Sequence, residues 1–294
     1  MWQNGSRFAI PISRPTDRDV SEEFGRADKP NVTGSPAWGQ IGRVRNAIGT
    51  RRPVQASSGT LPPHIKKIVK TSLNLTEERL VTIDLPSNRP GTLYAMHEIV
   101  GSRADARNLK FVISPNGEYV QTLLFFDDSK EAASMAAYIT SLLPEDKQLL
   151  GIVRHYHGGM SKPYLQAIFD SFADPTGMCK ILCATSGAST GLDVAGIPLV
   201  IQYGIPRDIS SLLQRGGRAG RSTTAIALYI MMYEPWVLQI DISGVSSDIA
   251  SDPDRPILEP LQKNSSKQER TSWEMYHIFQ QKISASESAP IGQP

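Results

Sequence analysis

A parallel β-sheet with helices on both faces is the fold class this 294-residue sequence predicts, and three observations predict it. Short apolar runs alternate with segments whose apolar residues fall at helical spacing, the pattern of repeated strand–helix units. One of those runs, Tyr119 to Phe126, is apolar on successive positions, as expected of a strand buried on both faces. A Gly-, Ser- and Thr-rich loop then follows one strand, and an Arg/Gly-rich segment follows another. Open sheets of this class bind ligands at the carboxyl ends of their strands.

The elements follow in order. The run from Tyr119 ends in Asp127-Asp128, and Ser129 is positioned to cap a helix. Ala132, Met135, Ala136, Ile139, Leu142 and Leu143 share one stripe of that helix, and Pro144 stops it. Ile152 to Tyr156 is a short strand leading into His157-Gly-Gly-Met160. Ser161 and Pro163 open a second helix that buries Leu165, Ile168, Phe169 and Phe172. Asp174-Pro-Thr-Gly177 turns the chain into the strand Cys179 to Ala184. Pro198 to Tyr203 is the next strand, a helix carrying arginines comes after it, and Ala225 to Met231 is a further strand.

Two segments carry the chemistry. Gln214-Arg215-Gly216-Gly217-Arg218-Ala219-Gly220-Arg221 spaces three arginines with glycines. Planar, permanently charged guanidinium forks match phosphate oxygens, and glycine lets backbone and ligand come close. Thr185-Ser-Gly-Ala-Ser-Thr-Gly-Leu-Asp193 is a small-residue loop closing on an acid just after a strand. Together they point to nucleotide-triphosphate and nucleic-acid chemistry. An Arg/Gly cluster in isolation is equally well read as a solvated basic surface.

Composition narrows the classes. The chain is 40% hydrophobic and 20% charged, ordinary for a globular domain, and its net charge of +2 leaves nucleic-acid binding to local clusters. Arg43, Arg45, Arg51 and Arg52 form one cluster, and Lys66, Lys67 and Lys70 another; a solvated face is the simpler reading of both. Arg7, Arg14 and Asp17 are unlike the opening of a secretory signal. The apolar run Ala225 to Tyr233 is far short of the roughly 20 residues a membrane helix needs, so no membrane partner is expected. The two cysteines, Cys179 and Cys183, sit four apart in a strand, hence on one face and too distant to bridge. They are expected to be packed thiols. His155 and His157 share a strand face, but without a third ligand nearby no zinc or other metal site is expected.

The order of motifs resembles the second RecA-like lobe of a superfamily-two helicase, specifically of the RecQ-like kind, over Ala37 to Tyr233. Gln121-Thr-Leu-Leu-Phe-Phe-Asp-Asp-Ser129 resembles motif IV, and Tyr156-His-Gly-Gly-Met160 resembles the RecQ-like signature that follows it. Ala184 to Asp193 resembles motif V and Gln214 to Arg221 motif VI. Upstream, Ser58-Gly-Thr-Leu-Pro-Pro63 resembles motif III, with glycine where alanine is usual, and Arg89-Pro90 resembles the entry to the second lobe. The resemblance implies that Arg218 and Arg221 are arginine fingers reaching a γ-phosphate. It implies that Gln214, Gly191 and Asp193 contact or couple to the nucleotide. Thr185, Ser186, Gly187, His157, Ser58 and Thr60 would then touch nucleic acid.

Two patterns that such a motor requires do not occur in these residues: a Gly-x-x-x-x-Gly-Lys-Ser/Thr phosphate loop and an Asp-Glu-x-His magnesium box. ATP is therefore the implied cofactor, with magnesium only where a separate first lobe is present, and the chain alone is expected to hydrolyse none. The four-cysteine zinc module that usually follows the second lobe in RecQ enzymes has no counterpart after Arg221. The expected organisation is a poorly ordered lead (1–36), a remnant of lobe one including motif III (37–88), the RecA-like lobe (89–234), and a linker with a terminal helix (235–294). In the remnant, Ile65, Ile68, Val69 and Leu73 have helical spacing. The terminal helix is expected over Gln268 to Ile283, its aromatics more simply core than docking face. The implied activity is the carboxyl half of an ATP-dependent 3′-5′ DNA helicase that acts on single-stranded or forked DNA together with its missing lobe. An intracellular location, nuclear if eukaryotic, goes with that activity. The alternatives are a catalytically inactive nucleic-acid-binding or scaffolding module, and a non-functional truncated product.

Overall fold

In a computed structural model, the described residues are 9–11, 41–48, 54–58, 61, 63–84, 89–114, 116–185, 194, 196–220, 225–240, 256, 261–262 and 264–287. The chain divides into two units, Met1–Ser87 and Asn88–Pro294. In the first unit, β1 (Ala9–Pro11) pairs in parallel with β2 (Gln55–Ser57). Part of the lead expected to lack order is therefore a strand, because its backbone groups find a partner some forty-five residues on in the chain. α1 (Ile41–Ile48) has no counterpart among the sequence expectations, whereas α2 (Pro63–Ser72) realises the spacing of Ile65 to Leu73, with Val69 and Leu73 buried.

The second unit is built on six parallel strands: β3 (Thr92–Glu98), β4 (Thr122–Phe126), β5 (Val153–Tyr156), β6 (Ile181–Thr185), β7 (Leu199–Tyr203) and β8 (Ala227–Tyr233). Their spatial order is β3-β8-β7-β4-β6-β5. β4 lies between β6 and β7, with Leu124 facing Cys183 on one side and Ile201 on the other. Every residue of β4 is buried, as its unbroken apolarity predicts. Leu123 and Phe125 face one core, and Leu124 and Phe126 face the other. The edge strand β3 was not legible as a strand, since three residues after Thr92 are exposed and no alternation marks it.

Helices cover both faces. α3 (Ser129–Ser141) buries Ala132, Met135, Ala136 and Ile139, and Leu143 just beyond it. Its cap is Asp128 rather than Ser129: the extended Asp128 carboxylate accepts from the amides of Lys130 at 2.8 Å and Glu131 at 3.0 Å. Ser129 is already helical, so its hydroxyl is one position too late to serve. α4 (Lys162–Ala173) buries Ile168 and Phe172, with Phe169 partly buried against the same core. α5 (Ile209–Gly216) is capped by Asp208, whose carboxylate accepts from Ser211 N at 2.7 Å. The terminal helix is two helices, α6 (Lys267–Arg270) and α7 (Trp273–Glu287), and Met275, Tyr276 and Phe279 enter the core shared with Tyr233 and Val237. Val237, Met275, Tyr276 and Phe279, all beyond residue 234, are thus part of this core.

The two cysteines are buried free thiols, but they do not share a face. Cys183 packs with Leu124 and Ile181, and Cys179 with Leu182 and Phe172. The strand begins only at Ile181, and the amides of Lys180 and Ile181 both donate to Ile152 O at 2.9 Å. This bulge-like doubling shifts the alternation by one residue. Burial pushes both thiols up, Cys179 to about 12, which leaves them protonated. Among the described residues no helix is long and apolar enough to cross a membrane.

Candidate nucleotide and nucleic-acid interface

Thr185 is the last residue of β6, in register with Phe126 at the end of β4. It therefore stands at the carboxyl edge of the sheet. His157 follows β5 on the same edge; its Nδ1 accepts from Gly159 N at 3.2 Å and its ring stacks on His155 at 5.8 Å. Burial, then the neighbouring His157 and Arg154, hold His155 below the usual imidazole range. Among the described residues no group of three His, Cys, Asp or Glu side chains is arranged to hold a metal.

Arg218 does not join Thr185 at that edge. α5 leaves the carboxyl end of β7 and runs back, and its eight residues span about 12 Å. Gly216 and Gly217 end it, and Gly220 N donates to Ile197 O at 3.0 Å, just ahead of β7. The motif VI turn therefore lies at the amino edge, against Gly91 and Thr92, with φ +62° at Gly220 bringing the chain round. A five-residue strand separates the two edges by about 16 Å. The expectation that both segments sit at strand carboxyl ends holds for Thr185 and fails for Arg218, because a helix intervenes between β7 and the arginine.

Of the arginines, only Arg215 lies within α5, and it is structural. Its guanidinium is buried, donating to Gln202 Oε1 at 2.5 Å and to Asp127 Oδ1 at 3.3 Å, and it stands 5.6 Å over the Phe125 ring. Arg218, also buried, follows the helix, and Gln214 is half-buried on it. Arg89 packs beside the same turn: a Cβ placed on Gly217 would meet its Nη2 at 3.3 Å.

At the carboxyl edge a charged cluster borders a cavity of about 550 Å³ lined by Arg103, Asp127, Glu131, Glu234, Trp236 and Lys267, among others. Arg103 binds Glu131 through two bonds at 2.6 and 2.8 Å, and Glu234 at 2.5 Å. Lys267 reaches Asp127 at 2.9 Å and Glu234 at 3.1 Å. Burial opposes the Asp127 carboxylate, yet Lys267, Arg215 and Arg103 outweigh it and hold its pKa below the ordinary range. Glu234 is lowered in the same way, against burial, by Lys267, Arg103 and the Ile205 amide. Glu131, Asp127 and Glu234 in turn keep Arg103 protonated despite its burial.

Residues 107–223 match the helicase conserved C-terminal domain family. Among curated relatives, DEAD-box ATP-dependent RNA helicase 7 of Spinacia oleracea is 27% identical over 183 residues, covering 60% of this chain and 24% of that protein. Nucleolar RNA helicase 2-A of Xenopus laevis is 30% identical over 121 residues, 41% of this chain and 15% of that protein. ATP-dependent RNA helicase DRS1 of Coccidioides immitis (strain RS) is 26% identical over 227 residues, 76% and 24% respectively. The chain spans about a quarter or less of the length of these relatives. In S. cerevisiae Dbp5 bound to RNA and ADP BeF3, a TM-score of 0.52 at 18% identity covers 69% of this chain and 50% of that one. The DUF1998 helicase MrfA bound to DNA gives 0.52 at 18%, covering 68% and 28%. Identity that low shows a shared RecA-like fold.

The helicase C-terminal domain is thus of superfamily-two type, while the RecQ-like refinement has no counterpart among these relatives. Of the residues singled out by sequence, Thr185, His157, Gln214 and Arg218 lie in the unit that contains the domain, and Ser58 in the unit of residues 1–87. Arg221, Gly191, Asp193, Ser186, Gly187 and Thr60 lie outside the described residues. Sequence reasoning missed Arg103, Glu131, Glu234 and Lys267. The bonded pairs among them are 28 to 131 positions apart, which leaves no local signal. The residues present do not by themselves fit a nucleotide–magnesium pair, since the sequence has no phosphate loop and no group of three His, Cys, Asp or Glu side chains among the described residues is arranged to hold the ion.

Proposed function

We propose that residues 89–240 act as the second lobe of a superfamily-two RNA helicase. In this reading the lobe grips a single strand through the Thr185 edge. The motif VI arginines are offered to a nucleotide whose phosphates and magnesium are held by a separate first lobe. The observation that carries it is the family match over residues 107–223, which spans the Thr185 strand end and the Arg218 turn together. RNA is favoured over the DNA substrate of a RecQ-like enzyme because the relatives are named as RNA helicases. A DNA reading keeps one support, the Tyr156 to Met160 signature.

Fluorescence anisotropy with matched single-stranded RNA and DNA oligonucleotides tests the reading. Phosphate contacts without an aromatic platform give micromolar binding that weakens steeply with salt, with a slope of about −0.7 per phosphate engaged. RNA is expected to bind more tightly than DNA, and Thr185→Ala to weaken both. Tighter DNA binding would favour the RecQ-like substrate, and no binding to either strand at low salt would sink the proposal.

A further inference from the structure

The two outer strands of the six-stranded sheet are finished differently. β5 is short, and the exposed Arg154 stands on it, a charged side chain of the kind that keeps a sheet edge from pairing. β3 is longer, and none of its residues is lysine, arginine or proline. Ala227 N donates to Gly91 O and Ile99 N to Tyr233 O, both at 2.8 Å, with Thr92 in register with Ala227. In a parallel ladder those bonds fix the phase. Leu93, Ala95 and His97 turn their N–H and C=O groups toward β8. Tyr94, Met96 and Glu98 turn theirs outward, where no strand among the described residues pairs with them.

Outward backbone groups of this kind take an extended chain, and β3 is complementary to its own reverse. Set antiparallel about Ala95, a second β3 places Tyr94 opposite Met96, and the two exchange both bonds. Each Glu98 amide then reaches the opposing Thr92 carbonyl. That carbonyl is the group Thr92 has left, since its amide donates to Arg89 O at 2.9 Å. Ala95 meets Ala95 on the axis, at a position without hydrogen bonds where Cα atoms approach to about 4.5 Å and a small side chain fits. Leu93, exposed in the single chain, gains His97 of the second copy opposite it. Charge does not oppose the arrangement. The two Glu98 carboxylates stand at opposite ends of the ladder, about 20 Å apart and well beyond a Debye length of about 8 Å at physiological salt. Sliding either strand toward its carboxyl end abandons Thr92 and brings the two Glu98 side chains toward each other, a like-charge pair that destabilises when opposed.

We propose that the free edge of β3 is a homodimer interface, closed by antiparallel pairing of two copies about a twofold axis between their Ala95 residues. Such a contact is isologous: it covers both β3 edges at once and closes at two copies. It goes beyond the lobe reading above and does not depend on it.

Sedimentation of the full chain from micromolar to near-millimolar concentration tests the proposal. The mass is expected to rise from that of the monomer toward twice that value. Ala95 is exposed, so Ala95→Lys sets like charges face to face on the axis without disturbing the core of one copy. That variant is expected to stay at the monomer mass with its circular dichroism unchanged. Ala95→Cys reads the register. Its Cα atoms meet across the axis within the span of about 4.4–6.8 Å that a disulfide bridges, so mild oxidation is expected to give a covalent dimer. His97→Cys, whose copies lie about 13 Å apart along the ladder, is expected to give none. Cys179 and Cys183 are buried and add no background to either. A chain that stays monomeric throughout leaves this edge to some other extended strand and overturns the proposal. So does an Ala95→Lys variant that dimerises as wild type does, or a His97→Cys variant that cross-links as readily as Ala95→Cys.

Discussion

Single side chains here act through shared charge. Glu234 accepts from Arg103, Lys267 and the Ile205 amide with only 9% of its side chain exposed, so removing its charge leaves Arg103 to Glu131 and Lys267 to Asp127 in a half-buried place. Glu234→Gln is expected to cost about 2–3 kcal/mol, read as a lower urea midpoint at unchanged slope. The same residue sets an acid limit. Its native pKa and that of Asp127 lie below their unfolded values. The stability they contribute is therefore fully present above an unfolded carboxylate pKa of about 4 and is lost as pH falls through the lower native values. Melting temperature is expected to drop below about pH 4, with a shallower drop in Glu234→Gln. An identical acid profile in the variant would remove Glu234 from that account.

Among elements, α3 depends on its first turn. Asp128 satisfies two amides that the helix itself cannot pair, and its negative charge faces the positive end of the helix dipole. Asp128→Ala is expected to cost about 0.5–2 kcal/mol, and Asp128→Ser less, measured by urea denaturation. α5 shows how an element redirects function. Its place after β7 and its Arg/Gly end were legible, but whether the chain after it lay beside Thr185 depended on the direction and length of eight residues. β3 shows the opposite limit. As an exposed edge strand it has no apolar alternation, and only its parallel pairing to β8, Thr92 with Ala227 through Glu98 with Tyr233, makes it a strand.

For the molecule as a whole, residues beyond the family match complete the core. Met275, Tyr276 and Phe279 are all but fully buried against Tyr233 and Val237, and Phe279 meets the Tyr233 ring at 5.1 Å. Each such side chain contributes about 1.5–3 kcal/mol on burial, comparable in sum with the whole stability of an ordinary domain. A chain ended at residue 240 is therefore expected to aggregate or to bind a hydrophobic dye, and a well-folded, monomeric product of that truncation would contradict this role for α7.

Sequence by itself determined what local chemistry fixes: the fully buried β4, the stripe of α3, Ile168 and Phe172 of the α4 face (Leu165 and Phe169 are only half-buried), the packed thiols, and a motif order specific enough to indicate a helicase C-terminal domain. These follow from periodicity and capping, which act over a few residues. Tertiary structure decided what depends on distant partners. It placed Arg218 at the amino edge, put Cys179 and Cys183 on opposite faces through a bulge, and drew Arg103, Asp127, Glu234 and Lys267 into one cluster. Those outcomes rest on strand order and on pairing between residues as far apart as Asp127 and Lys267, and no local pattern encodes such pairing.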